Sequence, residues 1–200
     1  DPFGDDHLAD TVTGTDGRFD ITFNFNDDWE DYPDIYVHFA AANTEVEIEH
    51  PTSGAIYDWE TGVHDDIVSE LNLGVLYSTD ESLEPALHLL TAITRTWRWC
   101  NDEGYNPSYV EVEWPDGDEG AWYADYSEEI HISSEREWSA RTPTHEFGHH
   151  FLHNYAPTAN PDYCNSICDD HPGWPFDCGH CLWCEEDTQI AWSEGFPNYL

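Results

Sequence analysis

Apolar and polar residues alternate at strand spacing through the first sixty residues. In "RFDITFNF", residues 18–25, every second residue is apolar, so an extended strand would present one apolar face. Similar stretches follow at 34–42, 45–50 and 55–61, with turn-forming residues between them. Short strands at this spacing predict a small β-sandwich at 1–62.

A helical period replaces this alternation at residues 82–100. The residues that recur at helical spacing are Leu83, Ala86, Leu87, Leu90, Ile93, Thr94 and Trp97. Pro85 falls in the first turn, where its missing N–H has no helical partner to lose. The pattern predicts a long buried helix, which a polar connector at 63–81 separates from the sandwich.

Three more strands and two more helices are predicted after this helix. Strand-like alternation returns at 108–114, 121–127 and 128–133, and the last of these, "EEIHIS", is interpreted as a sheet edge that could pair with an extended peptide. A helix follows in "RTPTHEFGHHFLHNYAP", residues 141–157, and a final one begins at about residue 187. The order of elements is therefore helix, three strands, helix and helix.

The charge of the chain is extreme and restricts its partners. There are 43 acidic residues and 5 basic ones, for a net charge of -38, and all five basic residues are arginines. Such a charge repels nucleic acid and anionic membranes, so neither is expected as a partner. It also destabilises the compact state unless salt screens it. The composition therefore indicates a protein adapted to high salt, and calcium-rich surroundings are the competing explanation.

Other features of the composition favour secretion. No apolar run reaches the length of a membrane span, and no charged-then-apolar leader opens the chain. Methionine is absent, even at position 1, so we expect the sequence to be either a processed product or a fragment of a longer chain. The predicted location is extracellular or at the cell surface.

The motif His-Glu-x-x-His stands at residues 145–149 and predicts a metal-binding helix. His145 and His149 are four residues apart, so both rings lie on one helical face and can bind one Zn²⁺. Glu146 is offset from them and is placed to act as a general base. Gly148 lets another element approach the helix closely. The competing interpretation is an ordinary helix with two hydrogen-bonded histidines.

A catalytic zinc site needs a third protein ligand, and the same helix does not supply one. The pattern that extends the motif with a glycine and a third histidine is not met, because Leu152 and Tyr155 occupy those positions. His153 lies one turn past His149, and three successive turns of one helix cannot surround a tetrahedral metal. We therefore interpret His150 and His153 as ordinary helix residues.

The last stretch, "QIAWSEGFPNYL" at 189–200, contains a second motif, Trp-Ser-Glu-Gly-Phe. Together with the His-Glu-x-x-His helix it resembles the gluzincin metallopeptidases, whose ligating glutamate lies in such a motif on a following helix. The resemblance covers 82–200 and implies that Glu194 is the third zinc ligand in a thermolysin-like catalytic fold. Pro197 stands where that family has alanine.

The opening "DPFGDDHLADTVTGTDGRFDITF" resembles the carboxypeptidase-regulatory or transthyretin-like sandwich. The expected fold is thus α+β, with a β-sandwich at 1–62, lacking its usual first strands, a connector at 63–81 and a zincin-like domain at 82–200. That domain would comprise a backing helix, a short mixed sheet, the His-Glu-x-x-His helix, a cysteine-rich loop and a ligand helix.

The six cysteines are Cys100, Cys164, Cys168, Cys178, Cys181 and Cys184. An even number in a secreted chain favours disulfides, and all six are candidates, although their pairing cannot be ranked from sequence. The alternative is a structural zinc knuckle, because three of them follow a Cys-x-x-Cys-x-x-Cys spacing. Either arrangement would hold the loop that precedes Glu194.

Two functions follow from these features. The first is a secreted zinc peptidase that hydrolyses peptide bonds with a zinc-bound water and Glu146 as general base, acting on a peptide or protein substrate. The second is a non-catalytic structural, adhesive or filament-forming extracellular protein with a protease-like zinc-binding domain. Incomplete sandwich strands would favour self-assembly through an open edge. Zn²⁺ is the expected cofactor, and the acidic composition leaves Ca²⁺ open as a second.

Overall fold

The computed structural model describes residues 6–14, 16–24, 32–78, 80–117, 119–156 and 188–200, without the side chains of 188–190. In this part of the chain the fold is α+β, as predicted, with three α-helices and two small β-sheets. None of these helices has the length and apolar character needed to cross a membrane.

The elements fall largely where the hydrophobic pattern predicts them. The strands are β1 (His38–Ala40), β2 (Val46–Glu49), β3 (Asp58–Glu60), β4 (Val110–Glu113), β5 (Ala121–Ala124) and β6 (Glu129–Ile132). The helices are α1 (Glu84–Asp102), α2 (Arg141–Tyr155) and α3 (Thr188–Gly195), and short 3₁₀ turns occupy Glu81–Leu83 and Ser134–Arg136.

The chain divides into two compact units. One consists of Asp1–Phe39 and Trp59–Ser78, and the other of Ala40–Asp58 and Thr79–Leu200. The predicted boundary at residue 62 differs from this division, because the stretch at 45–50 was assigned to the sandwich. Its residues form β2, which joins the sheet of the second unit.

The β-rich part of the chain is smaller than predicted. β1 and β3 pair as a two-stranded sheet, and Phe39 stacks on Trp59 with ring centroids 4.2 Å apart. Phe19 meets the ring of Phe39 edge-on at 5.4 Å, but residues 18–24 form no regular strand. The second packed layer of a sandwich is therefore not confirmed in the described residues.

The second unit is built on a four-stranded mixed sheet with the order β2-β4-β6-β5. β2, β4 and β6 are parallel to one another, and β5 is antiparallel to β6. The prediction that "EEIHIS" forms an edge is wrong, because β6 lies between β4 and β5. β5 is the edge strand instead.

The two edges of this sheet differ. On β2, the N–H of Ile48 donates to the carbonyl of Ala41 at 2.9 Å, and the N–H of Tyr57 donates to the carbonyl of Ile48 at 3.2 Å. This edge is therefore covered by backbone. On the other side, β5 pairs with β6 alone among the strands of the described residues.

Strict alternation gives the sheet one apolar and one acidic face. The inward residues of the three parallel strands are Val46, Ile48, Val110, Val112, Ile130 and Ile132, and all are buried in the core. α1 and α2 pack against this face, with Ala86, Leu89 and Ile93 from α1 and Phe147 and Phe151 from α2. The opposite face of the same strands carries Glu47, Glu49, Glu111, Glu113, Glu129 and His131.

Candidate metal centre

α2 positions the two histidines of the motif one turn apart. The hydroxyl of Ser139 accepts a hydrogen bond from the backbone N–H of Thr142 at 3.1 Å, which satisfies one of the free donors at the helix start. Pro143 lies in the first turn, where it is tolerated. Phe147 and Phe151 anchor the helix in the core, which leaves His145 and His149 on another face.

Three side chains converge at this face. The Nε2 atoms of His145 and His149 lie 3.2 Å apart, and Oε2 of Glu194 from α3 lies 3.3 Å from the first and 3.5 Å from the second. All three side chains are largely buried. The structure thus brings together the three residues that the sequence motifs and the resemblance designate as metal ligands.

The three ligand atoms, Nε2 of His145, Nε2 of His149 and Oε2 of Glu194, form a triangle whose dimensions fit zinc. Two ligand atoms that are each about 2.0–2.1 Å from a tetrahedral Zn²⁺ are separated by about 3.3–3.4 Å. The three observed separations, 3.2, 3.3 and 3.5 Å, lie around that value. Two imidazoles and one carboxylate are also a donor set used at catalytic zinc sites, which keep a fourth position for water or substrate.

A contact between Gly148 and Pro197 determines how close α3 comes to α2. A Cβ atom added to Gly148 would lie 2.5 Å from Cα of Pro197, well inside any real carbon contact. The sequence predicted that another element approaches Gly148 closely, and Pro197 does so. Pro197 is also the residue that departs from the gluzincin pattern.

Pro197 does not interrupt α3, because the helix ends at Gly195. The carbonyl of Glu194 accepts a hydrogen bond from the side-chain amide of Asn198 at 2.7 Å. The carbonyl oxygen of that amide accepts a hydrogen bond from Arg141 at 3.0 Å. A continuous set of hydrogen bonds therefore connects the start of α2 to the backbone of Glu194.

Glu146 lies beside the triangle and is not one of its corners. It is only 7% exposed. Burial raises the pKa of its carboxyl group, the two histidines lower it, and the charge of Glu194 raises it again. A hydrogen bond from the backbone of Tyr123, in the edge strand β5, favours the ionised form. Glu146 is thus a buried carboxylate next to the candidate ligands, as a general base requires.

The pKa of His149 reflects its negative neighbours. Burial alone would lower this pKa, but the hydrogen bond and the charge of Glu194 raise it. A protonated histidine cannot bind a metal, so metal and proton compete for this nitrogen.

His150 and His153 lie away from the triangle, as the sequence analysis proposed. His150 is buried, and its Nε2 lies 2.9 Å from the hydroxyl of Ser108. Burial lowers its pKa, so the ring is held in the neutral form. His153 lies 3.7 Å from Asp125 and 3.9 Å from Glu128, both of which are exposed.

Cys100, on α1, is the one disulfide candidate within the described residues, where it is a free thiol buried in the core. Its pairing stays a prediction, because its five possible partners lie outside those residues. Burial raises its pKa to about 11, so the thiol stays protonated at neutral pH. The other five cysteines, and with them the choice between disulfides and a zinc knuckle, lie outside the described residues.

A second group of possible metal ligands, Glu113, Glu129 and His131, was not predicted from the sequence. The group lies on the acidic face of the sheet and combines residues of β4 and β6. Its signal was the alternation in "EEIHIS", which places Glu129 and His131 on one face, but the neighbouring strand could not be identified from sequence.

Comparisons with protein families, with curated proteins and with solved structures find no match for this chain.

Proposed function

We propose that this protein is a zinc-dependent peptidase of the gluzincin type, with His145, His149 and Glu194 as ligands and Glu146 as general base. The observation that carries the proposal is the triangle of two imidazole nitrogens and one carboxylate oxygen, whose sides match a tetrahedral zinc site. The buried carboxylate of Glu146 beside it supplies the group that hydrolysis needs.

The catalytic roles divide between metal and protein. Zinc, when bound, supplies a Lewis acid that polarises a carbonyl group and makes water a stronger nucleophile at neutral pH. Glu146 accepts the proton of the attacking water and returns it to the leaving amine. Its raised pKa makes it a stronger base than an exposed glutamate, and the positive charge of a bound ion would lower that pKa again. The hydrogen bond from Tyr123 keeps the carboxylate oriented.

The edge strand β5 is the proposed docking site for the substrate. Its outer side carries no strand in the described part of the chain, and its residue Tyr123 hydrogen-bonds to Glu146. An extended peptide that adds to β5 would therefore pass close to the general base. The proposal thus moves the docking strand from 128–133, the stretch that the sequence favoured, to β5.

The finer fold and location are part of the same proposal. A four-stranded mixed sheet with α1 and α2 on one face and an antiparallel edge strand supports a zincin-like catalytic unit. The excess of acids over bases, 43 against 5, supports a salt-rich, extracellular setting.

Two isosteric substitutions test the mechanism. Glu146→Gln removes the proton acceptor and leaves the ligands, so zinc content should stay at the wild-type level while peptide cleavage falls by a factor of roughly 10² to 10⁴. Glu194→Gln weakens a ligand, so zinc affinity and cleavage should fall together. Metal analysis and a broad peptide library, both in molar salt, provide the two measurements.

The outcomes separate the two proposed functions. If the zinc-loaded wild type cleaves no peptide in that library, the peptidase proposal fails and the metal-stabilised structural protein takes its place. If Glu194→Gln and His149→Ala both retain full zinc, the ligand assignment itself is wrong.

A further inference from the structure

The acidic face of the four-stranded sheet contains a buried histidine. Strand pairing aligns Glu47 with Glu111 and Glu49 with Glu113, and Glu113 lies opposite His131 on the next strand. The side chain of His131 is only 7% exposed, although it lies on the side of the sheet opposite the helices. The ring of Trp122 covers it, with centroids 4.7 Å apart and the planes inclined by 7°.

One nitrogen of this imidazole has a defined proton. Nδ1 of His131 lies 2.7 Å from Oδ2 of Asp116 and 2.9 Å from Oε2 of Glu113. Carboxylates accept hydrogen bonds and do not donate them when ionised, so Nδ1 carries the hydrogen. A carboxylate that holds the N–H of a histidine in this way commonly orients the other nitrogen toward a metal.

The other nitrogen is buried without a hydrogen-bond partner. Nε2 of His131 has no accessible surface and makes no hydrogen bond. Its nearest ionic neighbour is Oε2 of Glu129 at 3.9 Å, which is too far for a hydrogen bond. A lone pair there faces a carboxylate, and a proton there would pair with Glu129 only through charge, at 3.9 Å, so neither state gives Nε2 a hydrogen bond. A cation between the two atoms would resolve the conflict.

We propose that His131, Glu129 and Glu113 form a second site for a divalent cation of the zinc class, on the sheet face opposite the proposed catalytic site. One ligand atom from each of the three residues lies within 4.8 Å of the others. Ligand atoms about 2.1 Å from a tetrahedral ion are about 3.4 Å apart, so the side chains of Glu129 and Glu113 must close on Nε2 of His131 when the ion binds, Glu129 by about 0.5 Å.

The composition of the group indicates which cation it takes. An imidazole nitrogen with carboxylates suits zinc and neighbouring transition metals, whereas calcium prefers oxygen ligands alone. A dication would neutralise the carboxylates of Glu113 and Glu129. The site would connect β4 to β6, so its role is to hold the sheet together.

The test uses the full-length chain and measures differences in metal content. Metal-free protein is equilibrated with Zn²⁺ in molar NaCl, and bound zinc is measured for wild type, Glu129→Gln, His149→Ala and the double variant. Each single variant should bind one zinc fewer than wild type, and the double variant two fewer. Any zinc bound elsewhere cancels in these differences. Glu47→Gln, on the same face of the sheet but outside the group, is the matched control and should bind as wild type does.

A second measurement locates the ion. Co²⁺ added to the His149→Ala variant should quench the fluorescence of Trp122, measured as the difference from the same variant with Trp122→Phe. The proposal is overturned if Glu129→Gln binds as much zinc as wild type, or if only Ca²⁺ or Na⁺ occupies the site. Because His149→Ala and Glu129→Gln act on separate sites, failure of the second site leaves the peptidase proposal intact, and the reverse also holds.

Discussion

Gly148 and Pro197 meet at a distance that leaves no room for a side chain, and this contact sets the position of Glu194 relative to the two histidines. The motif assigned His145 and His149 to one helix face, and the downstream motif supplied Glu194. Their distances could not be predicted, because these depend on how α3 docks on α2. A glycine in the motif suggested close approach, but only the structure identifies its neighbour.

Gly148→Ala should therefore separate α3 from α2. The added methyl group would lie 2.5 Å from Cα of Pro197, so the two backbones must move apart. Overpacking of this kind typically costs about 1–3 kcal/mol of stability. We expect zinc affinity to fall by at least about tenfold, a change of about 1.4 kcal/mol, because the carboxylate of Glu194 moves out of the triangle. Competition with a chelator measures the affinity.

Gly195→Ala is the matched control, since it makes the same change on the partner helix. An added Cβ at Gly195 would meet nothing within 4 Å, so zinc affinity should remain at the wild-type value. Equal losses in the two variants would show that the close approach of Gly148 to Pro197 does not position the ligand.

At the scale of elements, the alternation of residues predicted every strand of the four-stranded sheet but not the order of the strands. The stretch at 45–50 alternates as regularly as the stretch at 108–114, so its pattern is equally compatible with a strand of a sandwich and with a strand of the mixed sheet. Parallel pairing of β2 with β4 connects residues 64 positions apart, from Val46 to Val110, and no local signal encodes that choice. For the same reason, the row of glutamates across β2 and β4 could not be foreseen.

This row should make stability depend on pH. Burial, followed by the charges of neighbouring glutamates, raises the pKa of Glu49 and Glu111. The folded state therefore binds protons more tightly than the unfolded state in the range just above the ordinary glutamate pKa of about 4.3. The free energy of unfolding should rise as pH falls from 7 into this range. Denaturant titrations of metal-free protein at fixed salt measure this slope.

Glu111→Gln should flatten the slope, because it removes one titrating group and one negative neighbour of Glu49. Glu70→Gln, at an exposed position in the other compact unit, should leave the slope unchanged. Identical slopes in wild type and Glu111→Gln would rule out the row as the source of the pH dependence.

At the scale of the whole molecule, net charge dominates, and it could be calculated from sequence alone. A net charge of -38 on 200 residues opposes compaction at low salt. The division into two units could not be calculated in this way, because the chain leaves the second unit after Asp58 and returns to it at Thr79. The hydrophobic pattern suggested domains that follow one another along the chain, and it does not indicate a unit that is built from two separate segments.

Salt should therefore stabilise the protein strongly. Between 0.1 M and 1 M salt the screening length falls from about 10 Å to about 3 Å, so most repulsion between surface acids disappears. We expect the melting temperature to rise steeply over this range. A variant in which the exposed acids Glu70, Asp102, Glu103 and Glu119 become amides should show a smaller rise. A melting temperature that does not change with salt would contradict adaptation to high salt.

The hydrogen bonds that connect Arg141 to Glu194 have a consequence for such an environment. Among the described residues, the hydrogen-bond partner of Arg141 is no carboxylate but the uncharged amide of Asn198, which in turn binds a backbone carbonyl. Dissolved ions weaken attraction between opposite charges far more than they weaken a contact with a neutral group. We therefore expect the stability of the fold to depend on ionic strength, and the hydrogen bonds that hold Glu194 to depend on it much less. Salt concentration should thus change the stability of the rest of the protein more than it changes the geometry of the site.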